Sequence, residues 1–217
     1  MNAIDMIVNF FKQGGAFLYP IAAVFAVGLG FAVERFIYLT RVSHGNRRLW
    51  AELAPLIQGG NFRKAMEIAE KNDSALSTIM RYGMSRISTA HRREDIEKAM
   101  EESLIEVIPR LEKRTHYLAT FANLATLLGL LGTVIGLINA FAAVSTVNPA
   151  EKANLLSASI SVAMNCTAFG LMTAVPLLLI HAVLQTKTTE LIDSLEMASV
   201  KFLNAITERQ TQPQAAS

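Results

Sequence analysis

The chain has 217 residues, 52% of them hydrophobic and 18% charged, and its mean hydropathy of +0.33 is too high for an ordinary soluble domain. A net charge of +2, with 20 basic residues interspersed among 18 acidic ones, gives no argument for a nucleic-acid groove. Cys166 is the single cysteine, which excludes an intramolecular disulfide and a cysteine metal site.

An all-α integral membrane protein is therefore expected, with three transmembrane helices and a helical cytoplasmic domain into which the long second and third helices extend. The opening "MNAIDMIVNFFKQGG" lacks a basic leader, and Asp5, Asn9 and Lys12 interrupt its apolar patch, so the first span is expected to stay in the mature protein. Residues 1–15 form an interfacial segment on the periplasmic side. A bilayer core about 30 Å thick needs roughly 20 apolar residues in helix, and "AFLYPIAAVFAVGLGFAV" meets that need before Glu34 and Arg35 close it. The first membrane helix is placed at 16–39.

A helical cytoplasmic region follows at 40–116. From Asn46 to Arg86 the pattern suggests short amphipathic helices broken at Gly59 and Gly60. In "STAHRRED", Ser88 or Thr89 offers a helix start, and Pro109 is expected to bend that helix before the membrane. Ile96, Met100, Leu104, Val107 and Leu111 recur at helical spacing, as do Leu191, Leu195, Ala198 and Phe202 near the C-terminus, and the two stripes are expected to pack together.

The second membrane helix is placed at 117–147, a short periplasmic loop with the turn pair Asn148-Pro149 at 148–153, the third membrane helix at 154–186 and a cytoplasmic helical tail at 187–217. The two later spans form a hairpin. Arg35, Arg41, Arg47 and Arg48 follow span one, and Arg110, Lys113 and Arg114 precede span two. By the positive-inside bias the middle region and the C-terminus are cytoplasmic, and the N-terminus and the Asn148 loop lie outside. No nucleotide loop, metal-ligand pair or nucleophile with a nearby base is visible, and His44, His91, His116 and His181 lie far apart in sequence. An enzyme is the least favoured class.

Small residues mark the faces on which the hairpin helices meet. Ala125, Gly129, Gly132, Gly136 and Ala140 keep helical spacing on span two, with Thr133 among them; Ser159, Ala163, Thr167, Gly170 and Ala174 do so on span three. In lipid such side chains let backbones approach. At about 100° per residue, Asn165 points roughly 160° from Thr167, so one of them faces something other than the sister span. A hydroxyl can be satisfied by its own helix; an amide in hydrocarbon needs another subunit, a water or an ion.

At these residues the chain resembles the MotA/TolQ/ExbB family of ion-driven motor subunits, in its three-span ExbB/TolQ branch. The element "GLxGTVxG" of that branch is matched by Gly129, Leu130, Gly132, Thr133, Val134 and Gly136; "A-T-A-x-G-L" and a later Pro are matched by Thr167, Ala168, Gly170, Leu171 and Pro176, with Cys166 replacing the first Ala. The match is specific across roughly Leu118 to Leu184. Two departures stand out: Val162 occupies the place of a glutamate near the start of the third span, and Thr126 a place where the branch often has Pro.

The resemblance implies a subunit of a bacterial inner-membrane motor, coupling proton flow to mechanical work on a periplasm-spanning partner. It implies a pentameric ring around single-span ExbD/TolR-like helices carrying a transmembrane Asp, embedded in membrane lipids, with no cofactor, no metal and no nucleic acid. By analogy Thr133 and Thr167 line the ion route. Asn165, one turn from Val162, supplies polarity in place of the glutamate, and Ser161 joins them. Ala125, Gly129, Gly132, Gly136, Ala163, Gly170 and Pro176 pack the ring or its axle. Two other readings are a sodium-driven stator, since hydroxyl and carbonyl oxygens suit a hard cation, and a non-conducting membrane scaffold, for which Val162 argues.

Overall fold

A computed structural model describes residues 15–87 and 92–211, in six helices with no strand among the described residues. They are α1 (Leu18–Gln58), α2 (Phe62–Glu70), α3 (Ala75–Arg86), α4 (Arg93–Glu112), α5 (Thr115–Thr146) and α6 (Lys152–Thr211). Three stretches, carried by α1, α5 and α6, are long and apolar enough to cross a membrane. Their large side chains, among them Leu127, Phe141, Met172 and Leu179, lie mostly exposed. That is the arrangement hydrocarbon stabilises, because helices satisfy their own backbone and need no inward apolar face.

The described residues divide into two compact units, 15–34 with 114–183, and 35–87 and 92–113 with 184–211. In the first, the α5–α6 hairpin turns at Asn148, whose carbonyl accepts from the Glu151 N–H at 3.0 Å. The helices approach closely through their small residues. A Cβ added to Gly129 would lie 3.0 Å from the Cys166 carbonyl oxygen, and one on Gly170 would lie 2.7 Å from that of Ala125. The start of α1 joins them, since a Cβ on Gly28 would meet Leu177 at 2.9 Å.

The second unit holds a conventional core. The two apolar stripes read from the sequence meet there: Ile96, Met100, Leu104, Val107 and Leu111 of α4 share one buried cluster with Leu195, Ala198 and Phe202 of α6. Phe202 is fully buried and meets Phe62 edge-on at 6.3 Å between ring centroids. Gly83 makes room for it, because a Cβ there would sit 2.8 Å from both Met100 Sδ and Phe202 Cε1. Short helices are closed by side chains: Asn61 Oδ1 accepts from the Lys64 N–H at 3.2 Å and Ser74 Oγ from that of Ser77 at 3.2 Å.

Helix α1 runs on past Glu34 and Arg35, so residues 46–58 are its last turns and not a separate amphipathic helix. Charge marks where hydrocarbon ends, and the backbone ladder is indifferent to it. The helix stops at the glycines: Asn61 N–H donates to Leu56 O at 2.8 Å and Gly60 N–H to Ile57 O at 3.0 Å, a Schellman closure with Gly60 at φ +71°. An L side chain in that conformation costs about 1–2 kcal/mol. Gly60→Ala should therefore lower stability by that amount in thermal or denaturant unfolding, and Gly60→Asn by clearly less.

Pro109 lies within α4, which continues past it to Glu112. The break between α4 and α5 falls at Lys113 and Arg114, where Arg114 adopts φ +69°. Pro109 sits in the final turn of α4, where its missing N–H withholds the ladder bond to the Ile105 carbonyl, while its own carbonyl accepts from the Lys113 N–H at 3.0 Å. At the other end α4 begins at Arg93, with Asp95 accepting from the Arg92 N–H at 3.3 Å; Ser88 and Thr89, read as its start, and His91 lie outside the described residues.

Candidate functional site

The α5–α6 seam sets the geometry of the polar residues. Going along it, a Cβ on Gly136 would meet Ala163 Cβ at 2.8 Å, one on Gly132 would meet Cys166 Cβ at 2.8 Å, and Gly129 and Gly170 approach each other backbone to backbone. Ala125, Gly129, Gly132, Gly136, Ala163 and Gly170 are thus brought together within a single protomer. Thr133 and Thr167 lie in the same register, with their hydroxyl oxygens 3.4 Å apart.

Each hydroxyl has one hydrogen, and the distances say where it goes. Thr133 donates to the Leu130 carbonyl of its own helix at 2.6 Å, and Thr167 donates across the seam to the Gly129 carbonyl at 3.1 Å. The Thr167 hydroxyl is also within donating distance of Thr133 Oγ1 at 3.4 Å, so its one proton reaches either acceptor across the seam and each threonine oxygen keeps a free lone pair. Such a pair accepts a hydrogen bond from water, a hydronium ion or a protonated acid, and it can face a cation. It cannot titrate.

Asn165 and Ser161 are not brought to this pair. Asn165 is half-buried and Ser161 exposed, and neither side chain makes a hydrogen bond among the described residues. At about 100° per residue, Asn165 lies off the line of Ala163, Cys166 and Gly170 that faces α5. Val162 packs near the start of α1, where a Cβ on Gly15 would lie 3.2 Å from its Cγ1. Pro176 is half-buried within α6 and removes one rung of its ladder. No Asp, Glu, Lys or Arg occurs between Thr115 and Thr146 or between Ala153 and Thr186, and no group of three or more His, Cys, Asp or Glu that could hold a metal exists among the described residues.

Several residues near the charged ends of the spans have roles that periodicity does not reveal. Within the second unit Arg35 is only 3% exposed. Its guanidinium donates to the Leu111 carbonyl in the last turn of α4 and stacks over Tyr38 at 4.9 Å, a cation placed where a helix dipole favours one. Within the first unit Arg114 pairs with Glu34 at 3.2 Å. His181 Nδ1 lies 3.1 Å from the Thr115 carbonyl oxygen, and its ring stands 6.4 Å from that of His116. Basic residues at the span ends are visible in the sequence; their individual acceptors depend on helices distant along the chain.

Three helical stretches long and apolar enough to cross a membrane, two of them joined in a close small-residue hairpin, define an all-α protein of the multi-pass membrane class. Residues 71–197, more than half of the chain, match the MotA/TolQ/ExbB proton channel family, and the chain belongs to it. Over 201 residues it is 27% identical to a biopolymer transport protein ExbB homologue of Methanothermobacter thermautotrophicus, covering 91% of this chain and 69% of that protein. It is 30% identical over 113 residues to the Tol-Pal system protein TolQ of Pseudomonas aeruginosa, covering 48% of each. Its fold is shared with the structure of C. jejuni MotAB, at a TM-score of 0.61 and 17% identity over 94% of this chain and 85% of that one.

Proposed function

We propose that the chain is the channel or stator subunit of an inner-membrane motor, in which proton flow does mechanical work on a partner reaching across the periplasm. The observation that carries this reading is the Thr133–Thr167 oxygen pair, 3.4 Å apart, in segments that hold no Asp, Glu, Lys or Arg and whose histidines lie at the ends near Thr115. A proton relay in hydrocarbon uses ionisable side chains, so the acid is supplied by another polypeptide: a single-span helix of the ExbD/TolR kind carrying an Asp. Copies of the chain form a pentameric ring around such helices, with the N-terminus periplasmic and the C-terminus cytoplasmic. One charge crossing 100 mV releases about 2.3 kcal/mol, so useful work needs repeated steps, which rotation of ring against axle provides.

Thr133 and Thr167 accept hydrogen bonds from the passing ion or from the protonated partner acid. Asn165 and Ser161, turned away from the seam, serve a neighbouring subunit or water in the same route. Asn165→Leu is accordingly expected to reduce ion-dependent activity while leaving the hairpin assembled; unchanged activity in that variant would remove Asn165 from the route. The reading as a whole is tested by purifying the chain with the product of a neighbouring reading frame. A stable complex with a single-span, Asp-bearing protein is expected, and an assembly that never binds one contradicts the proposal. Exchanging sodium for potassium at fixed pH leaves a proton-driven motor unaffected and stops a sodium-driven one.

A further inference from the structure

Two grooves flank α6 in the second unit, and their charges are opposite. One, of about 240 Å³, lies between α4 and α6, is lined by Glu97, Glu101 and Glu196 and contains no basic side chain. The other, of about 270 Å³, lies between α1 and α6, is lined by Arg47 and Lys201 beside Trp50 and contains no acidic one. None of these five charged residues has an ion-pair partner among the described residues, although Arg48, Lys71 and Arg110 are each paired with a glutamate four residues away.

The grooves lie on opposite sides of one helix. At about 100° per residue, Glu196, Ser199, Val200 and Leu203 of the acidic groove centre roughly 180° from Ser194, Ala198 and Lys201 of the basic one. Each groove also has an apolar component beside its charges: Val200 is 53% exposed at the acidic groove and Met197 57% at the basic one. A self-complementary patch makes a two-fold dimer. Two different, mutually complementary patches on opposite sides make a head-to-tail contact, which closes into a ring when the rotation permits.

We infer that the two grooves are the halves of an interface between copies of this chain, the acidic groove of one protomer receiving the Arg47–Lys201 edge of the next. The inference rests on the ring proposed above and adds its direction: each copy is read the same way around the ring. Charge complementarity of this kind fixes register and excludes the reversed docking, because like would then face like.

The test is a charge exchange on the full-length chain in detergent, with oligomer mass read by light scattering and helicity by circular dichroism. Arg47→Glu with Lys201→Glu, and separately Glu101→Lys with Glu196→Lys, are each expected to lose the wild-type oligomer. All four together are expected to regain it, because both grooves are reversed. Double variants that stay assembled overturn the inference and leave the ring itself standing, as does a quadruple variant that stays dissociated while helical. A wild-type chain that is helical but monomeric overturns the inference together with the ring. Should a double variant fail to fold, Glu101→Cys and Lys201→Cys in differently tagged, Cys166→Ala copies must cross-link to each other; failure to do so also overturns it.

Discussion

Gly170→Ala is expected to destabilise the membrane unit, although the change adds a single methyl group and favours helix. The new Cβ would lie 2.7 Å from the Ala125 carbonyl oxygen and 3.1 Å from Gly129 Cα. Both are backbone atoms and neither can swing aside, so α5 and α6 must separate. Overpacking of this kind costs about 1–3 kcal/mol, outweighing the gain of up to about 1 kcal/mol from replacing Gly by Ala in a helix. Gly30 is the control: it lies in α1, and a Cβ added there would meet nothing within 4 Å, so Gly30→Ala should be neutral or mildly stabilising. Thermal unfolding in detergent compares the two directly. Equal melting temperatures for both variants would show that the seam is looser than these distances imply.

Thr167→Val should separate fold from function. Valine keeps the shape of the side chain and loses the donor to Gly129 O and the oxygen facing Thr133. The protein should stay folded, since a net hydrogen bond contributes only about 0.5–1.5 kcal/mol. Ion-driven activity should fall much further. A hydrogen bond to a charged group is worth about 1.5–3 kcal/mol, which at about 1.36 kcal/mol per decade corresponds to roughly a 10- to 150-fold loss of rate. Thr167→Ser, which restores an oxygen, should recover most of it. Proton uptake into vesicles containing the assembled complex is the readout. Full activity in Thr167→Val would remove this residue from the ion route.

The hairpin was legible because small residues at helical spacing have few uses in hydrocarbon other than close packing. Gly129, Gly132, Gly136, Ala163 and Gly170 form the seam in the register that their spacing implied. The buried stripe of α4 was equally plain, since Ile96 to Leu111 repeats over several turns. Helix ends were harder. Glu34 and Arg35 signal an edge of the lipid while α1 continues to Gln58, because hydropathy reports on solvent and not on the backbone ladder. The left-handed conformation of Arg114 has no local signature, since glycine or asparagine would have announced it and arginine does not. Burial of Arg35 against the Leu111 carbonyl joins residues 76 apart in sequence, beyond any periodicity. For Asn165, helical geometry gives its direction but no partner, because its surroundings in the proposed ring belong to other chains.

In the proposed motor this polypeptide supplies neutral oxygens to an ion path whose acid comes from another. Proton flux into liposomes tests this most directly, measured with this chain alone, with the proposed single-span partner, and with the membrane Asp of that proposed partner changed to Asn. Flux is predicted only in the second case, and flux of similar size through this chain alone would contradict the account.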